Sequence, residues 1–252
     1  MDAIILAGGY ATRLYPITLN MSKPLLRVAG RAIVDYVLDR LEEIGEVRHA
    51  YVVTNEKFYR DYLDWLKERR WPFPVVPVND GTTCNGDRLG AVGDILYALQ
   101  FGGIADDVIV IGGDNLFDFS LRPLVALHRA RKRPALGCYD VRRLDLVKLY
   151  SEARLEDSQV AEFAEKPADP KTTLIGILCY LLRRCDIPLV GRYLEEGNDS
   201  DKAGSFIQWL ITQEEVVGYP FTGRWVDIGT RAELERAEAL WSVMPAREMT
   251  GT

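Results

Sequence analysis

The amino-acid sequence predicts a doubly wound α/β fold with a mostly parallel sheet. Short aliphatic segments alternate along the chain with longer segments in which apolar residues recur at helical spacing. The aliphatic segments are continuous rather than alternating, as in strands that are buried on both faces of a parallel sheet. The 252 residues are 48% hydrophobic and 27% charged, which is enough apolar material for the core of one such domain.

The first half of the chain contains strands and helices in an order that predicts a Rossmann-like sheet. Strands are expected at Ala3–Ala7, His49–Thr54, Val75–Val78, Val108–Ile111 and Ala135–Val141. Helices are expected between these strands at residues 33–44, 59–66, 89–101 and 121–131. Gly45 stands where a C-cap glycine would end the first helix.

The second half of the chain predicts a smaller α+β part that packs on this sheet. Strands are expected at Val147–Leu155, Gln159–Ala164 and Thr173–Leu182, and helices at Asp186–Glu195 and Phe206–Thr212. A last helix should begin at Thr230, with Glu233 completing a capping box. Because no linker divides the chain, we expect one domain over residues 1–243 and a frayed tail at 244–252.

Charge and composition exclude several classes of function. The net charge of −6 argues against general nucleic-acid binding, although residues 1–31 hold four basic side chains against one acidic one, which suits a small anionic ligand. No apolar stretch is long enough to span a membrane, and the N-terminus does not have the pattern of a signal peptide. The four cysteines form no CxxC pair and predict reduced thiols in the cytoplasm. With only two histidines, a His-built zinc site or a Ser-His-Asp triad is not expected.

The loop after the first strand is the first candidate site. Gly8 and Gly9 would let backbone N–H groups turn toward one anion at the carboxyl end of a strand, where open α/β sheets bind ligands. A tight turn would use the same two glycines, so the pair alone leaves both interpretations open. Arg13 and Lys23 in this loop favour phosphate binding, since a guanidinium fork and a point charge bind phosphate in complementary ways. The loop is neither a Walker A motif nor a GxGxxG motif.

Three later segments place charged residues at strand ends. Asp114 follows the aliphatic strand in IGGDN, and Asp227 ends a short apolar strand in GRWVDIGT. Lys166 leaves a strand in FAEKP. Each has an ordinary structural explanation as a turn residue, a helix N-cap or a solvated charge. The two aspartates would also suit one Mg²⁺ ion, which takes oxygen ligands from carboxylates and phosphate together.

Together these residues predict phosphoryl or nucleotidyl transfer. Such chemistry needs charge neutralisation and in-line positioning more than proton shuttling. A phosphate oxygen is already an ionised nucleophile and requires no base. The lack of a candidate catalytic histidine is therefore consistent with this interpretation.

In this order, the four segments resemble the signature of the sugar-1-phosphate nucleotidyltransferases, which reads about LAGGxGTRLxPxTxxxxKPLxxVxGxP, then GDN, EKP and WxDxGT. The counterparts here are LAGGYATRLYPITLNMSKPL at 6–25, GDN at 113–115, EKP at 165–167 and WVDIGT at 225–230. The match runs from residue 3 to about residue 240. The chain is most similar to the short, single-domain members of the glucose-1-phosphate thymidylyltransferase type, which lack the left-handed β-helix of longer relatives.

The resemblance implies an enzyme that transfers a nucleotidyl group from a nucleoside triphosphate to a sugar 1-phosphate. In-line attack at the α-phosphorus would give a nucleotide sugar and pyrophosphate. Residues from 1 to about 120 would bind the nucleotide, and residues from about 121 to 243 the sugar phosphate. Mg²⁺ would be the cofactor, with Asp114 and Asp227 as its ligands.

The resemblance also implies individual roles. Arg13 would bind the departing pyrophosphate, Lys23 would stabilise charge near the α-phosphorus, and Lys166 would hold the sugar phosphate. The implied catalytic residues are Arg13, Lys23, Asp114, Lys166 and Asp227. The implied nucleotide site comprises Leu6, Ala7, Gly8, Gly9, Thr12, Arg13, Asn79, Gly90 and Asp114. The implied sugar-phosphate site comprises Asn115, Gly137, Glu165, Lys166 and Gly176, with Glu165 on a sugar hydroxyl and the two glycines beside the sugar.

The chain departs from the family signature in two ways that bear on its loops. Ala11 replaces the third signature glycine, and Ser22 replaces the usual proline before Lys-Pro. Ser151 follows the sugar-site tyrosine, Tyr150, where a glycine is usual, so the identity of the sugar stays open.

The base-reading region departs furthest. Where thymidylyltransferases carry a Gln and then Pro-x-Gly-Leu-Ala, this chain reads VNDGTTCNGDRLGAVGDI from Val78 to Ile95. Asn79 or Asp80 stands near the position of the glutamine. Amides and carboxylates read different base edges, so thymine, cytosine and guanine all stay open.

Two alternatives are a non-catalytic nucleotide-sugar-sensing or interaction subunit of the same fold, and another phosphoryl-transfer enzyme such as a kinase. The first would be expected to lose the transfer residues, yet all are present. The second would carry a Walker or kinase motif. A homo-oligomer is compatible with the resemblance, although the sequence shows no apolar stripe that marks an interface.

Overall fold

Within residues 1–243, which the structure, a computed structural model, describes, nine strands form one sheet with helices on both faces. The predicted α/β class agrees with this architecture, and the single domain over residues 1–243 stays a prediction. The tail expected at 244–252 lies outside the described residues. None of the helices in residues 1–243 combines the length and the apolar character needed to cross a bilayer.

The first half of the chain follows the predicted alternation of strands and helices. Its elements are β1 (Asp2–Leu6), three 3₁₀ turns (Thr12–Leu14, Ile17–Leu19 and Lys23–Leu25), β2 (Arg27–Val28), β3 (Arg31–Ala32), α1 (Ile33–Ile44), β4 (Ala50–Thr54), α2 (Tyr59–Trp65), β5 (Val75–Asn79), α3 (Ala91–Phe101), β6 (Val108–Gly112), β7 (Asn115–Phe117), α4 (Arg122–Arg131) and β8 (Ala135–Asp140). Gly45 ends α1 in the left-handed conformation with φ of 81°, as predicted.

The second half mixes short helices with longer strands. Its elements are α5 (Leu144–Val147), β9 (Ser151–Glu156), β10 (Gln159–Glu165), β11 (Leu174–Leu182), a 3₁₀ turn (Arg184–Asp186), α6 (Ile187–Glu195), α7 (Ala203–Gln213), β12 (Val217–Phe221), β13 (Trp225–Asp227) and α8 (Arg231–Trp241). The predicted capping box is present, because Thr230 accepts a hydrogen bond from the Glu233 N–H at the start of α8.

The sheet is parallel in one half and mixed in the other. In the order β5-β4-β1-β6-β11-β8-β12-β10-β9, the first four strands are parallel. Strand β11 then runs antiparallel between β6 and β8. The second half of the chain therefore extends the same sheet instead of packing on it, and the mostly parallel character holds for the first half.

Strand residues alternate between the two faces of the sheet. In β1, Ala3 and Ile5 join the core beneath α1, α2 and α4, whereas Ile4 joins the core beneath α3, α6 and α7. Residues of β4 and β6 alternate in the same way. This burial on both sides explains why the strands read as continuous aliphatic segments.

Two elements of the main sheet differ from the sequence expectation. The strand expected from Val147 begins at Ser151, because residues 144–147 form a helical turn. Strand β12 was not expected, since its sequence VGYPF contains glycine and proline and has no aliphatic run. It forms a strand because it pairs in parallel with β8. The four cysteines, all within the described residues, are free thiols, as expected.

Candidate active site

The carboxyl ends of β1 and β6 bring the glycine loop and the GGDN segment together. These strands are parallel neighbours with Leu6 opposite Gly112, and the Gly113 N–H donates to the Leu6 carbonyl at 2.8 Å. Both segments therefore leave the sheet at the same edge, where open α/β sheets bind ligands.

The glycine loop is fixed by contacts with its own side chains and with the residue that follows β4. The Asn55 amide donates to the Gly8 carbonyl at 2.9 Å, and the Thr18 hydroxyl donates to the Ala11 carbonyl at 2.8 Å. Ala11, which replaces a signature glycine, keeps the left-handed conformation with φ of 45°. A non-glycine residue pays about 1–2 kcal/mol for this conformation. The loop therefore keeps the backbone path that the missing glycine would favour.

Ser22, which replaces the signature proline, anchors the end of the loop. Its hydroxyl lies 2.9 Å from that of Tyr62 on α2, and both residues are fully buried. The next residue, Lys23, begins a short 3₁₀ turn. The buried hydroxyl pair thus fixes the backbone from which Lys23 projects.

Lys23 lies between the two predicted aspartates. Its Nζ donates to Asp114 Oδ2 at 2.6 Å and lies 3.6 Å from Asp227 Oδ1. Burial alone lowers the pKa of Lys23, but the two carboxylates outweigh it and raise that pKa above its ordinary value. Burial and the Asp114 charge raise the pKa of Asp227 to about 6. The structure thus brings together three of the residues that the resemblance implies as catalytic, and their roles stay predictions.

A two-stranded ribbon brings Asp227 to Asp114. Strands β7 and β13 pair antiparallel, with Asp227 opposite Asn115. The Trp225 indole N–H donates to Asn115 Oδ1 at 2.8 Å. The buried Asn115 side chain is therefore engaged in holding the ribbon together.

Two cavities meet at the aspartates. The larger one, about 450 Å³, lies over the glycine loop and the start of α3, and we call it the loop cleft. The smaller one, about 200 Å³, lies between β9, β11, β13 and the start of α7, and we call it the β-sheet pocket. Asp114, Leu178 and Asp227 line both cavities.

Most of the predicted site residues line one of these cavities. The loop cleft includes Leu6, Ala7, Gly8, Gly9, Thr12, Arg13, Lys23, Gly90, Asp114 and Asp227. The β-sheet pocket includes Asp114, Asn115, Glu165, Gly176 and Asp227. In the described part of the chain, the exposed Arg13 guanidinium makes no hydrogen bond or ion pair, which leaves it available to an anion.

Three predicted residues lie elsewhere. Asn79 bonds to Glu56 and Gly81 and does not line the cleft. At Gly137 the space for a side chain is filled by core atoms 3.1–3.2 Å away, so this glycine serves packing. Lys166 is exposed with φ of 48° and lines neither cavity.

The structure adds Asp94, Arg88 and Asp201 to the predicted cleft residues, and of the two candidates for the base-reading position it places Asp80, not Asn79, beside the cleft. Asp94 on α3 lines the loop cleft, and Asp80 lies buried beside it. Arg88 forms a bidentate ion pair with Asp201 at 2.7 and 2.9 Å across the cleft mouth. A sequence signal existed for Asp94, since it is the one charged residue in the predicted helix 89–101.

The β-sheet pocket has a wall of aromatic side chains, and Glu165 is its carboxylate besides the two aspartates that it shares with the loop cleft. The Tyr150 and Trp225 rings meet edge to face with centroids 5.3 Å apart. Burial raises the pKa of Glu165 above its ordinary value, although the charges of the nearby Lys166 and Lys202 oppose this increase. An aromatic wall with a few polar groups suits a hydroxylated ligand with apolar faces.

Comparison with known proteins assigns the chain to a family. The nucleotidyl transferase family matches residues 2–242, so the chain belongs to this family, which confirms the resemblance found in the sequence. A candidate mannose-1-phosphate guanyltransferase of Sulfolobus acidocaldarius is 26% identical over 94% of this chain and 62% of its own. A UTP–glucose-1-phosphate uridylyltransferase of Synechocystis sp. is 28% identical over 91% of this chain and 60% of its own. The chain thus spans less than two thirds of the length of these relatives.

A solved structure confirms the fold. The crystal structure of a candidate glucose-1-phosphate thymidylyltransferase from Bacillus anthracis in complex with sucrose matches with a TM-score of 0.79. The match covers 97% of this chain and 96% of that chain at 24% identity. The nine-stranded sheet of residues 1–243 therefore belongs to a known architecture.

Proposed function

We propose that this chain catalyses nucleotidyl transfer from a nucleoside triphosphate to a sugar 1-phosphate, releasing pyrophosphate. The observation that carries this proposal is the meeting of two cavities at one lysine and two aspartates. A triphosphate in the loop cleft and a sugar phosphate in the β-sheet pocket would place their reacting groups at this junction. Two relatives are named as transferases that act on mannose 1-phosphate and on glucose 1-phosphate, and these names support the same reaction.

The residues at the junction supply positive charge rather than proton transfer. Lys23 stays protonated because both carboxylates raise its pKa, so it can stabilise charge that develops at the α-phosphorus. Arg13 would bind the departing pyrophosphate through its guanidinium fork. No histidine of residues 1–243 lines either cavity, and an ionised sugar phosphate needs no base to attack. The role of Lys166, at the edge of the β9–β10 hairpin, in binding the sugar phosphate stays a prediction.

The donor set fits Mg²⁺. The two carboxylates already converge on one cationic group, the Lys23 ammonium. Within residues 1–243, no third His, Cys, Asp or Glu joins them as a metal-binding group. Mg²⁺ is commonly held by one or two carboxylates together with substrate phosphates, and we propose that arrangement for Asp114 and Asp227. When bound, Mg²⁺ would neutralise phosphate charge and help align the reacting groups.

The test replaces each aspartate by its uncharged isostere. Asp114→Asn and Asp227→Asn should each reduce Mg²⁺-dependent pyrophosphate release at least about 100-fold, since charge stabilisation at the transferred group is lost. Thermal unfolding should show that both variants fold. Asp145→Asn, which changes an exposed aspartate paired with Arg143, is the matched control and should keep wild-type activity.

The result that would overturn the proposal is equally specific. A wild-type protein that binds nucleotides but releases no pyrophosphate with any pair of nucleotide and sugar 1-phosphate would be a sensor of the same fold. Full activity in both aspartate variants would remove Asp114 and Asp227 from the reaction.

A further inference from the structure

A third cavity lies at the edge of the sheet opposite the candidate active site. Asp107 precedes β6 and lines this cavity, whereas Gly112, at the other end of the same strand, lines the loop cleft. Because β11 runs antiparallel to β6, with Leu182 opposite Val108, the residues after β11 lie at the same edge as Asp107. The end of α4 completes the cavity, which measures about 530 Å³ and which we call the distal cavity. Its volume is within the range of small-molecule sites.

Positive charge dominates the lining of the distal cavity. Four basic side chains and one carboxylate line it, namely Arg129 and Lys132 at the end of α4, Arg183 and Arg184 after β11, and Asp107. The protein as a whole has a net charge of −6, so this concentration of cations is not a general property of its surface. Basic residues in the last turn of α4 also stabilise the helix dipole. That explanation does not cover the two arginines after β11.

Two of the four cations already have partners within the protein. Arg129 pairs with Glu46, and Arg183 pairs with Asp186 and Glu214. The Asp186 side chain is 1% exposed, so the Arg183 guanidinium is held by a buried carboxylate. These two arginines therefore build the wall of the cavity rather than offer their charge to a ligand.

The backbone of the other two cations is held in place by buried polar groups. The Arg183 guanidinium donates to the Lys132 carbonyl at 2.8 Å, and the Arg184 N–H donates to Asp107 Oδ1 at 3.0 Å. The buried His128 ring places Nε2 at 3.3 Å from Asp107 Oδ2, and its Nδ1 lies 2.7 Å from a backbone carbonyl. Both oxygens of the one carboxylate in the lining are thus engaged, and Lys132 and Arg184 project from a fixed frame.

The charged groups of Lys132 and Arg184 are available to a ligand. Both residues are exposed, and within residues 1–243 neither side chain makes a hydrogen bond or an ion pair. Lys132 ends α4 in the left-handed conformation with φ of 54°, where glycine is usual. A lysine that keeps a conformation favouring glycine indicates a use for its side chain at this position.

We propose that the distal cavity binds the phosphate group of a small phosphorylated molecule through Lys132 and Arg184. An ammonium point charge and a guanidinium fork bind phosphate in complementary ways. Beside the phosphate, the aliphatic stems of the lining side chains offer an apolar surface to the rest of the ligand. The inference does not depend on the proposed function, because the distal cavity shares no lining residue with the loop cleft or the β-sheet pocket.

A cysteine in the lining provides a reporter that is specific to this cavity. Cys185 lines the distal cavity and is exposed, Cys84 is the other exposed cysteine, and Cys138 and Cys179 are buried. In a full-length Cys84→Ser protein, Cys185 is therefore the one accessible thiol. Its alkylation by iodoacetamide at about pH 8 can be followed by mass spectrometry. Iodoacetamide is uncharged and does not compete with an anion for the two cations.

The test measures how anions protect Cys185 from alkylation. The probes are inorganic phosphate and glycerol 2-phosphate, each with KCl added to a fixed ionic strength. Either probe should slow alkylation at least about 5-fold at saturation, with half of the effect reached below about 1 mM. Glycerol, and KCl at the same ionic strength, should not protect. The probe that acts at the lower concentration shows whether the site takes the free ion or an ester.

Two variants remove the proposed ligand contacts without removing a hydrogen bond of the fold. Lys132→Asn removes the ammonium group, and asparagine tolerates the left-handed backbone. Arg184→Gln removes the guanidinium group. Each variant should raise the half-saturating phosphate concentration at least about 10-fold, since a charged hydrogen-bond donor is lost. The rate of Cys185 alkylation without phosphate should stay near that of the parent protein, which shows that the cavity is intact.

Two control variants locate the effect. Lys67→Gln changes an exposed lysine that pairs with Asp64 and lines none of the three cavities, so it should leave protection unchanged. Arg13→Ala changes the cation of the loop cleft and should also leave protection of Cys185 unchanged.

Several results would overturn the distal phosphate site. These are the absence of saturable protection by either phosphate, equal protection by KCl, and unchanged protection in both Lys132→Asn and Arg184→Gln. Loss of protection in Arg13→Ala would mean that phosphate acts from the loop cleft. Stronger protection by citrate than by either phosphate would overturn the choice of phosphate. Protection as expected, in a protein that releases no pyrophosphate, would leave the distal site standing and overturn only the transfer reaction.

Discussion

Lys23 and Asp94 are two buried ionisable residues whose neighbours have opposite effects on their charge. Lys23 keeps its charge because two carboxylates face it, whereas the pKa of Asp94 is raised because Asp94 is buried and the group facing it is another carboxyl. Sequence reasoning identified Lys23 because it lies within a long, specific motif. It missed Asp94, because the contact of Asp94 with Gly8 joins positions far apart in the sequence.

The pKa of Asp94 gives a prediction about stability. The folded pKa, about 8, lies above the ordinary value of 3.8, so the folded state keeps a proton that the unfolded chain releases between these values. The free energy of unfolding should therefore decrease as pH rises from about 4 to about 8, by at most about 1.4 kcal/mol per pH unit from this group. Asp94→Asn removes this loss and should be increasingly more stable than wild type over the same range.

Urea unfolding of both proteins between about pH 5 and about pH 9 measures this difference. The stability gap should widen up to about pH 8 and then stay constant. Asp145→Asn, at an exposed site, should follow the wild-type curve. Parallel curves for wild type and Asp94→Asn would mean that Asp94 is ionised throughout.

At the scale of an element, the loop from Ala7 to Ser22 has no regular strand or α-helix, yet its path is well determined. It is held by hydrogen bonds to Asn55, which follows β4, and to Tyr62 on α2, and Ala11 in this loop has a left-handed backbone conformation. The family signature of this loop could be recognised in the sequence, but there Ser22 is only a departure from the signature. The structure explains the serine, because its hydroxyl lies beside that of Tyr62, which is 40 residues later in the chain.

The hydroxyl pair predicts strong coupling between Ser22 and Tyr62. Ser22→Ala and Tyr62→Phe should each lower the free energy of unfolding by about 1–2 kcal/mol, since each leaves the other hydroxyl buried without a partner. The double variant should be less destabilised than the sum of the two, because no polar group is then stranded.

A double-mutant cycle by urea unfolding measures the coupling, and a value near zero would mean that the two hydroxyls have other partners. Activity gives a second readout. Because Lys23 follows Ser22, Ser22→Ala should also slow pyrophosphate release, whereas Thr212→Ala, which removes an exposed hydroxyl bond on α7, should not.

At the scale of the whole molecule, the sequence predicted the class of fold but only part of the sheet. The parallel strands of the first half could be predicted because each is a continuous aliphatic run. The extension of the sheet could not be predicted. Strand β11 joins β6 to β8, and β12 joins β8 to β10, through pairings that local periodicity does not encode. This extension creates the β-sheet pocket, so the second cavity could not be placed from sequence alone.

Because the two cavities have different linings, we expect different residues to determine the affinity for each substrate. Arg13 lines only the loop cleft, and Glu165 lines only the β-sheet pocket. Arg13→Ala should raise KM for the nucleoside triphosphate about 10- to 100-fold, since a charged hydrogen-bond donor is lost, and leave KM for the sugar 1-phosphate near wild type. Glu165→Ala should raise KM for the sugar 1-phosphate about 10-fold and leave that for the nucleotide unchanged.

Steady-state kinetics of the single and double variants test this separation. The two effects should add as free energies in the double variant, because Arg13 and Glu165 share no partner in the described residues and act on different ligands. Arg154→Ala, which changes a partly exposed arginine on β9 that lines neither cavity, is the matched control and should leave both KM values unchanged. If Glu165→Ala instead raised KM for the nucleotide, the β-sheet pocket would belong to the nucleotide. The sugar phosphate would then have to approach the aspartates from the loop cleft.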